Sequence, residues 1–551
     1  MRSLITLTLA ALLIGCGSSA SAPPAARAPG RPAKPAPEAL SNLHHPVTTN
    51  SDAAQRQFDD GLTQIYAFNH DEAIRCFERA LKADPNLAMA HWGIALALGP
   101  NYNVDVDEAR EKQAFEHIQK ATELGKDASP VEQDYIATLG KRFSGADKPD
   151  LKALAEDYAK AAGELSKKYP DDLDAATLYA EGMMDLRPWK LWSIDYKPAP
   201  GTEVIVETLE SVLKRDPDHI GANHLYIHAV EASSSPQRAL ESASRLPVLA
   251  PSCGHLVHMP SHIYARVGDF ESAVTSNEAA VDIDREFFKK TPEGKGGIYE
   301  MMYYPHNMHF IAYSSAWQGN YKESKKWADA IYQHAQPHVE HMAMLEGFTV
   351  VPEMIDVKFR KWNDILASKQ PDEKTMPNTT ALWHFARGMA LAGTGDVYQA
   401  RYERDKMLAL KAKMPPDAMM SMLNKSHQVL EIAKNVLDAK ISAQQKNYTE
   451  ATKKLTDAVA AEDGLVYMEP PDWLCPTRES LGGVLLINGD AAGAEKVFRE
   501  SLDRMPRNAR ALFGLEKALE AQGKTYEASI IHKQFENAWK NADTKLTVED
   551  L

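Results

Sequence analysis

The chain has 551 residues, 44% of them hydrophobic and 25% charged, with a formal net charge of −14. This composition suits a globular chain, and the acidic balance argues against a general nucleic-acid binder, which would carry a basic face or stripe. The length allows several ordinary domains or one long repeat array.

Residues 1–16, MRSLITLTLAALLIGC, hold one early Arg, an apolar run and a closing Leu-Ile-Gly-Cys. The run is too short to persist as a membrane span and reads as a signal peptide. Its end resembles the lipobox of bacterial lipoproteins. That resemblance implies that Cys16 carries a lipid and that the membrane is reached through this N-terminal lipid only. Gly17 and Ser18 follow, with no Asp, which by the same resemblance points to the outer membrane of the bacterial cell envelope, facing the periplasm. An ordinary signal peptide with an incidental Cys is the alternative. Residues 17–43 are rich in Pro, Ala and Ser and cannot bury enough apolar surface to fold, so they are expected to form a disordered tether. The other cysteines, Cys76, Cys253 and Cys475, are odd in number and scattered, which is no disulfide framework.

From residue 44 onward helix formers dominate, punctuated by Gly-Asp, Gly-Asn and Asp-Pro turns. Two segments align position by position, DDGLTQIYAFNHDEAIRCFERALKADP and SLGGVLLINGDAAGAEKVFRESLDRMP. Gly61, Ala73, Phe77, Ala80 and Pro85 stand opposite Gly482, Ala494, Phe498, Ser501 and Pro506. Small residues let two helices approach, the aromatic fills the gap to the next pair, and Pro ends the second helix. These offsets resemble the tetratricopeptide repeat, a helical hairpin of 34 residues. The fold class implied is all-α, a tetratricopeptide-type helical-hairpin solenoid, with a His-rich groove over residues 44–365 and further repeats over 366–551. In that family the first helix of each hairpin lines a concave face, through positions 2, 5, 9, 12 and 13 of the repeat.

The register puts histidines on that face. Gly268-Asp269-Phe270 resembles the inter-helix turn, which makes Gly254 position 1 and places His255, His258 and His262 at 2, 5 and 9. In the next unit, starting at Pro305, His306 and His309 fall at 2 and 5. In the preceding unit, starting at Ile220, His224 and His228 fall at 5 and 9 and Glu231 at 12. One unit earlier, from Leu173, Glu181 and Asp185 fall at 9 and 13. Seven of the chain's 19 histidines thus lie in residues 224–309, where even spreading would put about three.

Imidazoles and carboxylates converging from neighbouring helices are the ligand set of zinc, iron and copper sites. The expected site is therefore His224, His228, His255, His258, His262, His306, His309, Glu181, Asp185 and Glu231, holding one ion or two, with some members orienting others through the second ring nitrogen. Met184, Met259 and Met308 keep copper in play. A purely hydrogen-bonding set and a metal-free acid–base site are the alternatives. As an enzyme, the chain would use Glu181 or Glu231 as base beside a metal-bound water. As a binding module, it would take a protein or peptide in the groove. Pro260 lies within the helix and could leave His255 and His258 in a preceding turn. His384 and His91 read as packing residues, Asn101-Tyr102-Asn103 as a turn, and residues 467–482 as a rigid connector docking Trp473. No GxSxG, Walker-type loop, HExxH or CxxC occurs, which argues against the common nucleotide and hydrolase routes.

Overall fold

A computed structural model describes residues 40–551; the leader with Cys16 and residues 17–39 of the expected tether lie outside the described residues. Among those residues the regular structure is helical, and the only strand-like pairings are three isolated bridges. Helices follow one another as antiparallel pairs, from Asp52–Tyr66 with His70–Ala83 to Ala509–Ala521 with Thr525–Ala538. No described helix is long and apolar enough to cross a membrane.

The aligned residues do what their spacing predicts. A Cβ on Gly61 would lie 2.6 Å from the Phe77 ring and one on Gly93 2.5 Å from it. Phe77 is therefore clamped between the first helix of its own hairpin and that of the next. Phe498 sits in the same way between Gly482 and Gly514, at 2.4 and 2.2 Å. The Gly-Asp turns combine two devices. Gly268 takes the left-handed conformation that ends one helix, at φ +76°, and the Asp269 side chain then accepts from the Ser272 N–H to start the next.

Pro260 does interrupt the helix ladder, between Gly254–His258 and Pro260–Arg266. Met259 between them nevertheless keeps helical dihedrals, φ −49° and ψ −37°, so the face bearing His255, His258 and His262 runs through the break.

The array curls until distant repeats touch. Asp52–Tyr66 packs against Ile220–Val230. Arg266 donates from Nη1 to the Arg504 carbonyl at 3.0 Å, and the Tyr321 N–H donates to Asp543 at 2.8 Å. The expected groove is consequently narrowed to a partly open cavity of about 1390 Å³, walled by helices of both halves and by the segments around residues 100–106, 418–423 and 468–474.

Candidate metal centre

Ile220–Val230 carries His224 and His228 one turn apart on its inner face. Each ring is oriented through Nδ1. His224 Nδ1 lies 2.6 Å from the Tyr66 carbonyl oxygen, which can only accept, so this nitrogen holds the proton. His228 Nδ1 donates to Glu231 Oε1 at 2.8 Å. In both rings Nε2 is left with its lone pair, and neither Nε2 has a hydrogen-bond partner. His255 arrives from Gly254–His258 with no partner at either ring nitrogen. One nitrogen from each of the three rings lies within 4.8 Å of the other two.

Electrostatics keep these rings in the form that binds metal. Burial first, and then the neighbouring imidazoles, hold His224 and His255 well below the ordinary histidine range. His228 is lowered as well, by burial that outweighs the pull of Glu231.

Glu231 is the hinge of the cluster. Its Oε2 lies 2.6 Å from His262 Nδ1, an ion-pair distance, though off the ideal hydrogen-bond line. Burial opposes charge on both partners, but each overcomes it for the other: Glu231 is held at about 2 and His262 is raised to about 9. Glu469 adds to the effect from 3.7 Å and is itself raised by burial. His258, His262 and His306 form a second close group, and Glu231, His262 and Glu469 a third.

The remaining expected residues lie elsewhere. His309 lines the cavity with its Nε2 unpartnered, pushed by burial to about 3, and belongs to none of the close groups. Asp185 also lines the cavity but is paired with the buried Arg142. Glu181 stands beside that pair, where burial and the Asp185 charge raise it to about 8. Neither carboxylate joins a histidine group. Met184, Met259 and Met308 are packed in the apolar core. His384 is a packing residue bonded to Glu403 at 2.6 Å, and Trp473 is buried, anchoring the 467–482 segment in the core.

Four site residues were missed by the sequence reading. Glu469 is contributed by the loop read as a connector. Asn277 holds His258 Nδ1 at 2.6 Å. Tyr303, in a single π-helical turn over Tyr299–Tyr303, meets the His255 ring edge-on with centroids 4.8 Å apart. Phe68 packs on three of the histidines, 4.4 Å from His224 and stacked at 5.6 Å on His255 and 6.0 Å on His228. It had a signal. Phe68 occupies the turn position that Gly268 and Gly319 fill in their own units, and it takes the same left-handed backbone at φ +54°. A bulky residue held there costs about 1–3 kcal/mol and marks a position kept for its side chain.

A tetratricopeptide repeat model matches residues 61–87. No curated protein matches the sequence. Among solved structures, the human IFIT1 dimer with m7Gppp-AAAA is 13% identical over 90% of this chain and 92% of that one, with a TM-score of 0.33. Yeast Tom70 is 11% identical over 88% of this chain and 92% of its own, at 0.28. The tetratricopeptide domain of P58(IPK) is 12% identical over 86% and 99%, at 0.22. Similarity at this level bears on neither ligand nor activity. One repeat matches the tetratricopeptide model, and the fold is an all-α array of tetratricopeptide-type helical hairpins that carries the same glycine–phenylalanine clamp near both ends.

Proposed function

We propose that this protein binds a transition-metal ion in its central cavity through His224, His228 and His255. One observation carries the reading: two imidazoles whose Nδ1 protons are committed to fixed acceptors leave unpartnered Nε2 atoms beside a third imidazole with no partner at all. Three buried acceptors turned toward one point are costly to leave unsatisfied, and a divalent ion satisfies them together. The all-nitrogen set suits zinc, iron or copper. A carbonyl and a carboxylate behind the two outer rings are the orienting partners that metal-bound histidines ordinarily have.

A second reading, a metal-dependent hydrolase or oxidoreductase, is favoured by the cavity. His228 and His255 both line it, so a three-histidine ion would have its remaining positions turned toward space that a ligand can fill. The repeat scaffold also supports a protein or peptide partner, the common use of such arrays. Envelope anchoring through Cys16 rests on the leader sequence, and a Cys16→Ala chain that still incorporates labelled palmitate would sink it.

The test is elemental analysis of untagged protein after incubation with zinc, iron or copper salts and desalting. His255→Ala is the variant of choice, because no hydrogen-bond partner is orphaned by removing that ring. A metal-bearing wild type and a folded His255→Ala chain that binds less metal than wild type is the expected pair. Wild-type protein that takes up none of the three metals would refute the reading.

A further inference from the structure

We propose that His258, His262 and His306 form a second metal centre, coupled to the first through the shared carboxylate of Glu231. The inference rests on the metal reading above and goes beyond it in number, geometry and linkage.

The argument starts from tautomers. The Asn277 side-chain nitrogen donates to the Ala273 carbonyl at 2.7 Å, which turns its oxygen toward His258. That oxygen lies 2.6 Å from His258 Nδ1, so Nδ1 donates and His258 Nε2 carries the lone pair. His262 Nδ1 faces the Glu231 carboxylate and holds its proton there. The two Nε2 atoms of His258 and His262 then face each other at 3.0 Å in a fully buried place. Two lone pairs at that separation require a cation between or beside them. In the metal-free chain a proton serves. With an ion present, the nitrogens bind it and that proton leaves to solvent.

His306 makes the site one for a metal rather than for a proton alone. A proton bridges two nitrogens, whereas three are brought together here within 4.8 Å. The His306 ring packs against His258 with centroids 4.8 Å apart, and both His306 and His262 line the cavity, so the group opens onto it. Two metal–nitrogen bonds of about 2.0–2.1 Å spanning a 3.0 Å separation enclose an angle of about 91–97°. Such an angle is nearer to octahedral or square geometry than to tetrahedral, which leaves positions for further ligands from the cavity.

The coupling lies in Glu231. Its two oxygens orient His228 of the first group and His262 of the second. One carboxylate thereby sets the tautomer of a ligand in each centre. Glu469, whose Oε2 is buried without a hydrogen-bond partner, approaches the same imidazole from the opposite half of the chain.

The experiment is a cobalt(II) titration of the full, untagged chain, reading bound metal per chain by elemental analysis and the visible spectrum of the bound ion. Wild type, His306→Ala and His255→Ala are compared. His306 is only half-buried, so its removal spares the core; His306→Gln is the second variant should the alanine chain melt early. Two ions in wild type, and one in each single variant with different residual spectra, is the expected result. One ion in wild type, lost in His255→Ala and kept in His306→Ala, overturns this proposal and leaves the first centre standing. Two ions in His306→Ala also overturn it. No ion in wild type removes the metal reading itself.

Discussion

Replacing Glu231 by Gln changes one oxygen into an NH2 group and should uncouple the cluster. The carboxylate faces two ring N–H groups, His228 Nδ1 at 2.8 Å and His262 Nδ1 at 2.6 Å. An amide has one oxygen, so one imidazole must meet a donor with a donor. That ring escapes by moving its proton to Nε2, the atom that would bind metal. Loss of an orienting partner of this kind costs 10–100-fold in metal affinity, or about 1.4–2.7 kcal/mol. The metal-free chain suffers separately. His262 is raised to about 9 by Glu231 and Glu469 against burial, and losing most of that shift removes roughly 2 kcal/mol of stability at neutral pH. The assay is zinc titration against a competing chelator at pH 7.5, paired with thermal melts of the metal-free proteins. A folded Glu231→Gln chain that binds zinc as tightly as wild type, and melts with it, would refute the tautomer argument.

Four other outcomes follow from the same structure. Gly61→Ala places a methyl group 2.6 Å from the Phe77 ring and should cost about 1–3 kcal/mol, read as a lower midpoint in urea; an unchanged midpoint would contradict the clamp. The metal-free fold should be acid-labile. His224, His255, His258 and His306 are lowered by burial from an ordinary 6.5, so below that pH the unfolded chain takes up protons that the folded chain refuses. Each contributes about 1.4 kcal/mol per pH unit, offset in part by buried carboxyls such as Glu181, raised to about 8, and Asp284, raised to about 7, which gain stability as the pH falls. Melting temperatures that stay level from pH 7 to 5 would contradict this. Phe68→Gly should relieve about 1–3 kcal/mol of left-handed backbone strain but remove a buried ring worth about 3–5 kcal/mol, so the melting temperature should fall modestly while zinc affinity falls several-fold; an unchanged zinc affinity would contradict its role on the histidine face. Glu181→Gln should leave bound metal per chain unaltered, because Glu181 stands with Asp185 and Arg142 and not with the histidines; loss of an ion in that variant would place it in the site after all.

The helical fold was legible because its signals are local. Gly61 with Phe77 and Gly482 with Phe498 encode a contact whose spacing repeats, and the Gly-Asp turns mark helix ends by backbone preference and capping. The histidine face was legible once the Gly268 turn fixed the register. Other features depended on the path of the superhelix. Glu469 lies over two hundred residues from His262 and meets it only because the array closes on itself, which no repeat offset states. Glu181 and Asp185 hold groove positions in their own unit, yet Arg142, arriving from an irregular stretch, claims Asp185 first. Phe68 stood in plain view as the wrong residue for a glycine position. Its role became clear only when the stack brought Ile220–Val230 and Gly254–His258 against that turn.

The central claim is that three imidazole nitrogens share an ion, and X-ray absorption spectroscopy of the zinc-loaded protein at one ion per chain reads that shell directly. The structure predicts about three nitrogen scatterers at roughly 2.0–2.1 Å, with the outer-shell pattern of imidazole rings, and its loss in the double variant that combines His255→Ala with His306→Ala. A first shell dominated by oxygen, or an imidazole pattern that survives unchanged in that variant, would contradict it.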